Sequence, residues 1–241
     1  MNLKDLQKNW DEFGKLDPFW AILTEESKKG NKWEEADFFQ KGEKWVEREL
    51  QQLKRNRLKA FERKTALDFG CGVGRLTRAL AGKFEQVKGI DIAPSMIDKA
   101  RQLNAHLPNC EFILNERNDL HLFSDDSFDL VLSLITLQHM HPKFARAYLA
   151  EFIRVLKPGG LIIFQLPSTN KTAPAYSLIR KSIHLIKSAI LAPKEPVMEM
   201  YGIHISEMCA FLENQNGIIY QIKQNNYSGD SWSSFTYYIT K

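Results

Sequence analysis

Three glycines at alternate positions, Gly70, Gly72 and Gly74, follow an acidic residue, Asp68, in the segment ALDFGCGVGRL. Glycine tolerates positive φ and places no side chain between a ligand and the main chain. A helix beginning just after such a loop offers unpaired N–H groups. Loops of this kind bind phosphates, or a nucleoside with a polar tail. The spacing is G-x-G-x-G, not the G-x-G-x-x-G of dinucleotide loops, because Arg75 stands where the third glycine of that pattern is needed. No G-x-x-x-x-G-K-[ST] run occurs, which excludes a phosphate-binding P-loop. Another carboxylate, Asp91, lies 17 residues beyond Gly74, at the end of an apolar run. Further along, Gln138, His139 and His141 follow the run SLIT. A histidine has an ordinary pKa suited to accepting a proton near neutrality.

These groups can act together only if the chain brings them to one edge of a scaffold. Short apolar runs at 66–69, 87–91, 111–114, 128–134 and 161–166 predict strands. Amphipathic stretches at 75–84, 95–104 and 144–156 predict helices between them. The second of these has Ser95 followed by Asp98, a capping-box pattern, and the third stops at Lys157-Pro158-Gly159-Gly160. Strands alternating with helices imply a mostly parallel α/β sheet with helices on both faces. Its ligand belongs at the carboxyl ends of the strands. Residues 170–191 predict one long amphipathic helix, 206–214 a further helix, and 218–224 and 235–239 two terminal strands paired antiparallel. Residues 1–60 read as a helical extension rich in large aromatics, which pays the entropy of ordering only if it packs on the core.

With its acidic-x-G-x-G-x-G loop, D-F-G-C-G-V-G, the sequence resembles the class I S-adenosylmethionine-dependent methyltransferases, particularly small bacterial enzymes that act on small molecules. The segments VKGIDIAPSMIDKAR, NDLHLFSDDSFDLVLS and RVLKPGGLIIF continue the likeness, which covers about residues 60–166. DPFWAILT and DFFQKGE are similar to segments of the same bacterial group. The resemblance implies a Rossmann-like SAM-binding domain over residues 61–241, with an insertion or lid at 167–205. It assigns Asp91 to the ribose hydroxyls, since one carboxylate can accept two hydrogen bonds. Ile92 goes to the adenine face, Asp119 to the exocyclic amine, and Leu120 to a backbone contact, with Asn118 replacing Asp119 if the register slips by one. Asp68, Gly70, Cys71, Gly72, Gly74 and Ser133 complete the expected cofactor set. The cofactor is S-adenosylmethionine, leaving as S-adenosylhomocysteine.

An activated methyl needs mainly a positioned acceptor, and a base only if the acceptor must lose a proton. His139 is the candidate for that base or for orienting the acceptor; packing or capping of the following helix is its structural alternative. No metal ligands are expected. The helix at 170–191 is a candidate lid over a small-molecule, lipid or natural-product acceptor. Plain packing and contact with a membrane surface are its alternatives, the last because Lys181, His184 and Lys187 form a basic stripe.

The net charge of +4 is too small to imply nucleic-acid binding. Three cysteines without a CxxC pair argue against a disulfide scaffold or a zinc site. The first residues lack the apolar core of a signal peptide, and no apolar run reaches the roughly 20 residues needed to cross a bilayer. The expected location is the cytoplasm. The competing readings are a non-catalytic protein of the same fold that binds the cofactor or serves as a partner subunit, an NAD-dependent enzyme, and an aminopropyltransferase. The glycine spacing disfavours the second, and the lack of an acidic cluster after the fourth strand disfavours the third.

Overall fold

A computed structural model describes residues 2–55, 62–171 and 196–241. Its centre is a seven-stranded sheet in the order β3-β2-β1-β4-β5-β7-β6. The strands are β1 (Thr65–Phe69), β2 (Gln86–Asp91), β3 (Cys110–Leu114), β4 (Phe128–Ser133), β5 (Leu156–Asn170), β6 (Ile218–Asn225) and β7 (Trp232–Thr240). The first five pair in parallel, while β7 runs antiparallel between β5 and β6. Every residue of β4 is buried, Asp129 and Ser133 included, as befits a mostly apolar strand covered on both faces. The fold is therefore the Rossmann-like α/β architecture, with the terminal strands antiparallel as the sequence predicts.

Seven described α-helices accompany the sheet: α1 (Leu3–Leu16), α2 (Pro18–Ile22), α3 (Glu35–Arg55), α4 (Arg75–Ala81), α5 (Pro94–Leu103), α6 (Pro142–Val155) and α7 (Ile205–Asn214). On one face Phe152 of α6 meets Phe69 edge-on at 5.0 Å. On the other, α3 buries Trp45, Val46, Leu50 and Leu53 with Leu76 and Leu80 of α4. Spacings of three and four residues put these side chains on one stripe of α3. The amino-terminal aromatics form a cluster of their own. Phe38 stacks on Phe19 at 4.5 Å, and the group packs on Val73, Ala93 and Met96. Burial of a side chain such as Phe38 is worth about 1.5–3 kcal/mol. None of the described helices is long and apolar enough to cross a membrane.

Several boundaries differ from the sequence reading. Ser95 does not cap α5. Ala93 is the N-cap and Pro94 opens the helix, while the Ser95 amide donates to Asp11 Oδ1 at 2.8 Å and its hydroxyl to Asp11 O at 2.7 Å. A side chain from α1 has taken the capping role. Strand β5 begins at Leu156, five residues before the predicted start, because Leu156 pairs with Phe128 and the register shift is absorbed where Gly159 takes positive φ. It also runs on to Asn170, which pairs with Trp232 of β7 and so ends a strand rather than opening a helix. The remainder of the helix expected at 170–191 lies outside the described residues, apart from Lys171. Pro142 opens α6 earlier than predicted, as proline at the first helical position commonly does.

Candidate functional site

Strand order reverses at β1, with β2 and β3 on one side and β4 and β5 on the other. Open sheets bind ligands at such a point. Here the carboxyl ends of β1 to β4 open onto a mostly apolar cleft with a few polar groups in its lining. Gly70, Gly72, Asp91 and Ile92 all line it. Gly70 and Gly72 adopt φ of +74° and +54°. A Cβ at Gly70 would lie 2.1 Å from Thr136 Cγ2, and one at Gly72 2.5 Å from Ile22 Cδ1. The loop after β4 and the end of α2 thus press directly on the glycine backbone.

Asp91 holds this loop and keeps capacity for a ligand. Its Oδ2 accepts from the Gly72 amide and its Oδ1 from the Ala93 amide, each at 2.9 Å. A carboxylate has about four lone-pair sites, so each oxygen retains one for a hydroxyl. Burial raises the Asp91 pKa, and the amide bonds work against that rise.

Asp68, Cys71 and Gly74 lie behind the loop and do not line the cleft. Asp68 accepts from Thr77 Oγ1 at 2.7 Å, tying the first turn of α4 to β1, and burial pushes its pKa up to about 6. The Cys71 thiol is buried against Gly89, and its pKa is raised by that burial. Gly74 stands at the N-cap of α4 with φ +89°, its α-carbon turned to Asn104 and Phe112. Ser133 is fully buried at the end of β4, and its hydroxyl has no hydrogen-bond partner among the described residues.

The segment 118–120 does not line the cleft either. Asn118 is exposed. Asp119 turns to Arg117, whose Nε lies at 2.9 Å and whose hydrogen bonding holds the carboxyl down at about 2. The Leu120 amide donates to Glu151 Oε2 at 2.8 Å. The residue of this stretch that faces the cleft is Asn115, which immediately follows β3. The strand-end rule that singles out Asp91 after β2 would also have found it. Its Nδ2 donates to Asp119 O at 3.0 Å. Tyr148 lines the cleft as well, its hydroxyl donating to Arg117 O.

After β4 the backbone is strained. Ile135 has φ +58°, a left-handed conformation that is an outlier for a β-branched residue. Its amide donates to Gln165 Oε1 at 3.1 Å. Gln165 belongs to a buried polar group that includes Gln138, Ser228 and Ser234. His139, which lines the cleft, joins this group. Its Nδ1 lies 2.8 Å from Glu199 O, and a carbonyl only accepts, so Nδ1 carries the proton. Its Nε2 accepts from the Gln138 amide nitrogen at 3.0 Å. Burial lowers the His139 pKa to about 4. The ring is neutral at pH 7 and its lone pair is already engaged.

Helix α1 closes the cleft from outside. Leu3, Leu6 and Trp10 line it, with Trp10 5.1 Å from the His139 ring, and Gln7 Nε2 donates to Ile92 O at 3.1 Å. Individual aromatic contacts of this kind carry no signal in a single sequence, because an amphipathic helix needs an apolar face whatever it covers.

The fold is similar to that of solved S-adenosylmethionine-dependent methyltransferases. Residues 66–160 match the family model described as a methyltransferase domain. The chain is 36% identical over 100 residues to a 2-methyl-6-phytyl-1,4-hydroquinone methyltransferase of Synechocystis sp., a match covering 41% of this chain and 30% of that protein. It thus spans less than a third of that relative's length. It is 29% identical over 173 residues to a demethylmenaquinone methyltransferase of Tropheryma whipplei, covering 71% of this chain and 69% of that one. Its fold is similar to the crystal structure of magnesium protoporphyrin IX methyltransferase from Synechocystis PCC 6803 with bound S-adenosylhomocysteine. The TM-score is 0.63 at 16% identity, with all of both chains covered.

The buried imidazole carries a pH signature. His139 binds its proton more weakly in the fold (pKa about 4) than its ordinary value of 6.5. The unfolded chain therefore takes up more protons between those values, and stability falls as pH drops from 6.5 towards 4. The expected loss by pH 4 is about 3 kcal/mol. Asp68 acts in the opposite sense: its raised pKa makes the fold the better proton binder between about 6 and 3.8, so its contribution grows on acidification. Urea unfolding of wild type and His139→Gln at pH 7, 5.5 and 4.5 separates the two. The wild type should lose stability relative to the variant as pH falls; a pH-independent difference between them would refute the assignment.

Proposed function

We propose that this chain binds S-adenosylmethionine in the cleft and transfers its methyl group to a small-molecule acceptor, releasing S-adenosylhomocysteine. The observation that carries the reading is the convergence of Gly70, Gly72 and Asp91 at the sheet's reversal point, with spare acceptor sites on Asp91. The residues fit the cofactor. The glycines let the loop take positive φ under Thr136 and Ile22 while still lining the cleft, and Asp91 suits a ribose diol. Ile92 and Asn115 offer an apolar face and an amide for the base. Asp68, Cys71 and Gly74 give the loop its shape. Asp119 and Leu120 brace the segment that carries Asn115, and Ser133 supports the end of β4.

When bound, the cofactor supplies a methyl group already activated on a sulfonium. The chain's own residues then orient the acceptor and exclude water. Leu3, Leu6, Trp10 and Met140 furnish apolar wall, the first three from α1, which forms part of the cover. His139 serves better to orient the acceptor than to take its proton, because burial depresses its pKa and Gln138 occupies its lone pair. The apolar wall favours an uncharged acceptor ring or a lipid-like one over a highly charged metabolite. A hydroquinone such as those named for the relatives is the first acceptor to assay.

Calorimetric titration tests the cofactor. S-adenosylhomocysteine is expected to bind and NAD is not; the reverse result would overturn the reading. Binding without methyl transfer to any acceptor in a cell extract would instead favour a non-catalytic cofactor-binding protein.

A further inference from the structure

Arg75 is the only lysine or arginine among the described residues that line the cleft. It is 6% exposed. Its Nε has no hydrogen-bond partner, and no ion pair or hydrogen bond of its guanidinium is found among the described residues. Asp68 is close enough to favour its charged form, yet that carboxylate is bonded to Thr77 rather than to Arg75. A buried guanidinium without a partner is costly, and the deficit is made up only by an anion brought from elsewhere.

Because Arg75 lines the cleft, an anion can reach it from there. Helix α3 crosses directly against Arg75 at Gly42, where a Cβ would sit 2.5 Å from Arg75 O and 2.9 Å from its Cγ. The glycine lets α3 close one side of the arginine stem, and the cleft lies on the other. Gly72 and Ile22 line the same cleft. The chemistry suited to such a fork is a carboxylate, held by two parallel charge-assisted hydrogen bonds.

We infer that Arg75 binds the carboxylate of the cofactor's amino-acid moiety. This rests on the cofactor reading above. Asp91 then takes the ribose and Arg75 the other polar end of the same molecule, so that the two charged groups of the cleft divide the cofactor between them.

The test compares two ligands that differ in the amino-acid moiety. S-adenosylhomocysteine carries the carboxylate; 5′-methylthioadenosine keeps the nucleoside and sulfur but lacks it. Calorimetry is done on the wild type, Arg75→Met and Arg75→Lys. The expected result is a roughly 10- to 100-fold loss of S-adenosylhomocysteine affinity in Arg75→Met, with 5′-methylthioadenosine binding unchanged, and partial recovery in Arg75→Lys. Unchanged binding of both ligands would overturn the inference and leave a carboxylate on the acceptor as the partner. A parallel loss of both would overturn it in favour of a purely structural arginine. If the methionine variant does not fold, the lysine variant decides by the same selective or parallel pattern. Failure of the wild type to bind either ligand would instead sink the cofactor reading itself, which keeps the two failures distinct.

Discussion

Asp91→Ala is expected to weaken S-adenosylhomocysteine binding by at least about 100-fold, the equivalent of two lost charge-assisted hydrogen bonds. The carboxylate does two jobs at once. It accepts the Gly72 and Ala93 amides, holding the glycine loop against the end of β2, and it keeps a free lone pair on each oxygen for a diol. Alanine leaves both amides unpaired and removes the ligand's partner. Asp91→Asn keeps nearly the same shape and one acceptor oxygen, but its amide nitrogen then faces the Gly72 or the Ala93 N–H, so one of the two loop bonds is lost with the charge. Because burial raises the Asp91 pKa, the ionised group costs folding energy at neutral pH. Relief of that cost is offset by the loop bond lost, so the asparagine variant is expected to unfold at a similar or slightly lower temperature while its affinity drops. Wild-type affinity in Asp91→Asn would show that the carboxylate does not meet the ligand.

Gly70→Ala should have the second-largest effect, on both stability and binding. Gly70 has φ +74°, and the added methyl would meet Thr136 Cγ2 at 2.1 Å, Oγ1 at 2.4 Å and Cβ at 2.8 Å. Threonine is stiff about χ1 and cannot turn all three atoms away. Relief would require separating the β1 and β4 loops, which together form the floor of the cleft. The combined strain and overpacking should cost about 3 kcal/mol. Adding Thr136→Gly removes the collision but not the positive φ, leaving a deficit of about 1 kcal/mol relative to the Thr136→Gly single variant. Thermal unfolding of the two single variants and the pair reads this coupling directly. Additive losses would mean that contact between the loops is not what requires glycine at position 70.

Much of this site was legible in the sequence. Gly70 and Gly72 were identified by spacing and residue type and Asp91 through the family resemblance, and the structure brings all three to one cleft. The alternation of apolar runs and amphipathic stretches foretold the sheet and its antiparallel end, because parallel strands buried on both faces leave an unmistakable pattern. The stretch after β3 was harder. Asp119 has the chemistry of a ligand-binding residue, but Arg117, two positions away, draws it outward, while the less conspicuous Asn115 turns in. A side chain's choice between a near cation and a distant cleft depends on loop path, which local spacing does not encode.

The chain's residue pattern by itself determined which backbone could turn sharply, where strands would end, and hence where a nucleoside could approach. Those are properties of single residues and their nearest neighbours. Only the tertiary structure decided that Asp11 of α1 would cap α5 in place of Ser95. Only it decided that α1 would cover the cleft with Trp10, that Gln138 would engage the lone pair of His139, and that Arg75 would be buried with no partner among the described residues. Each of these joins groups far apart in sequence, whose distance and burial are set by packing of the whole domain.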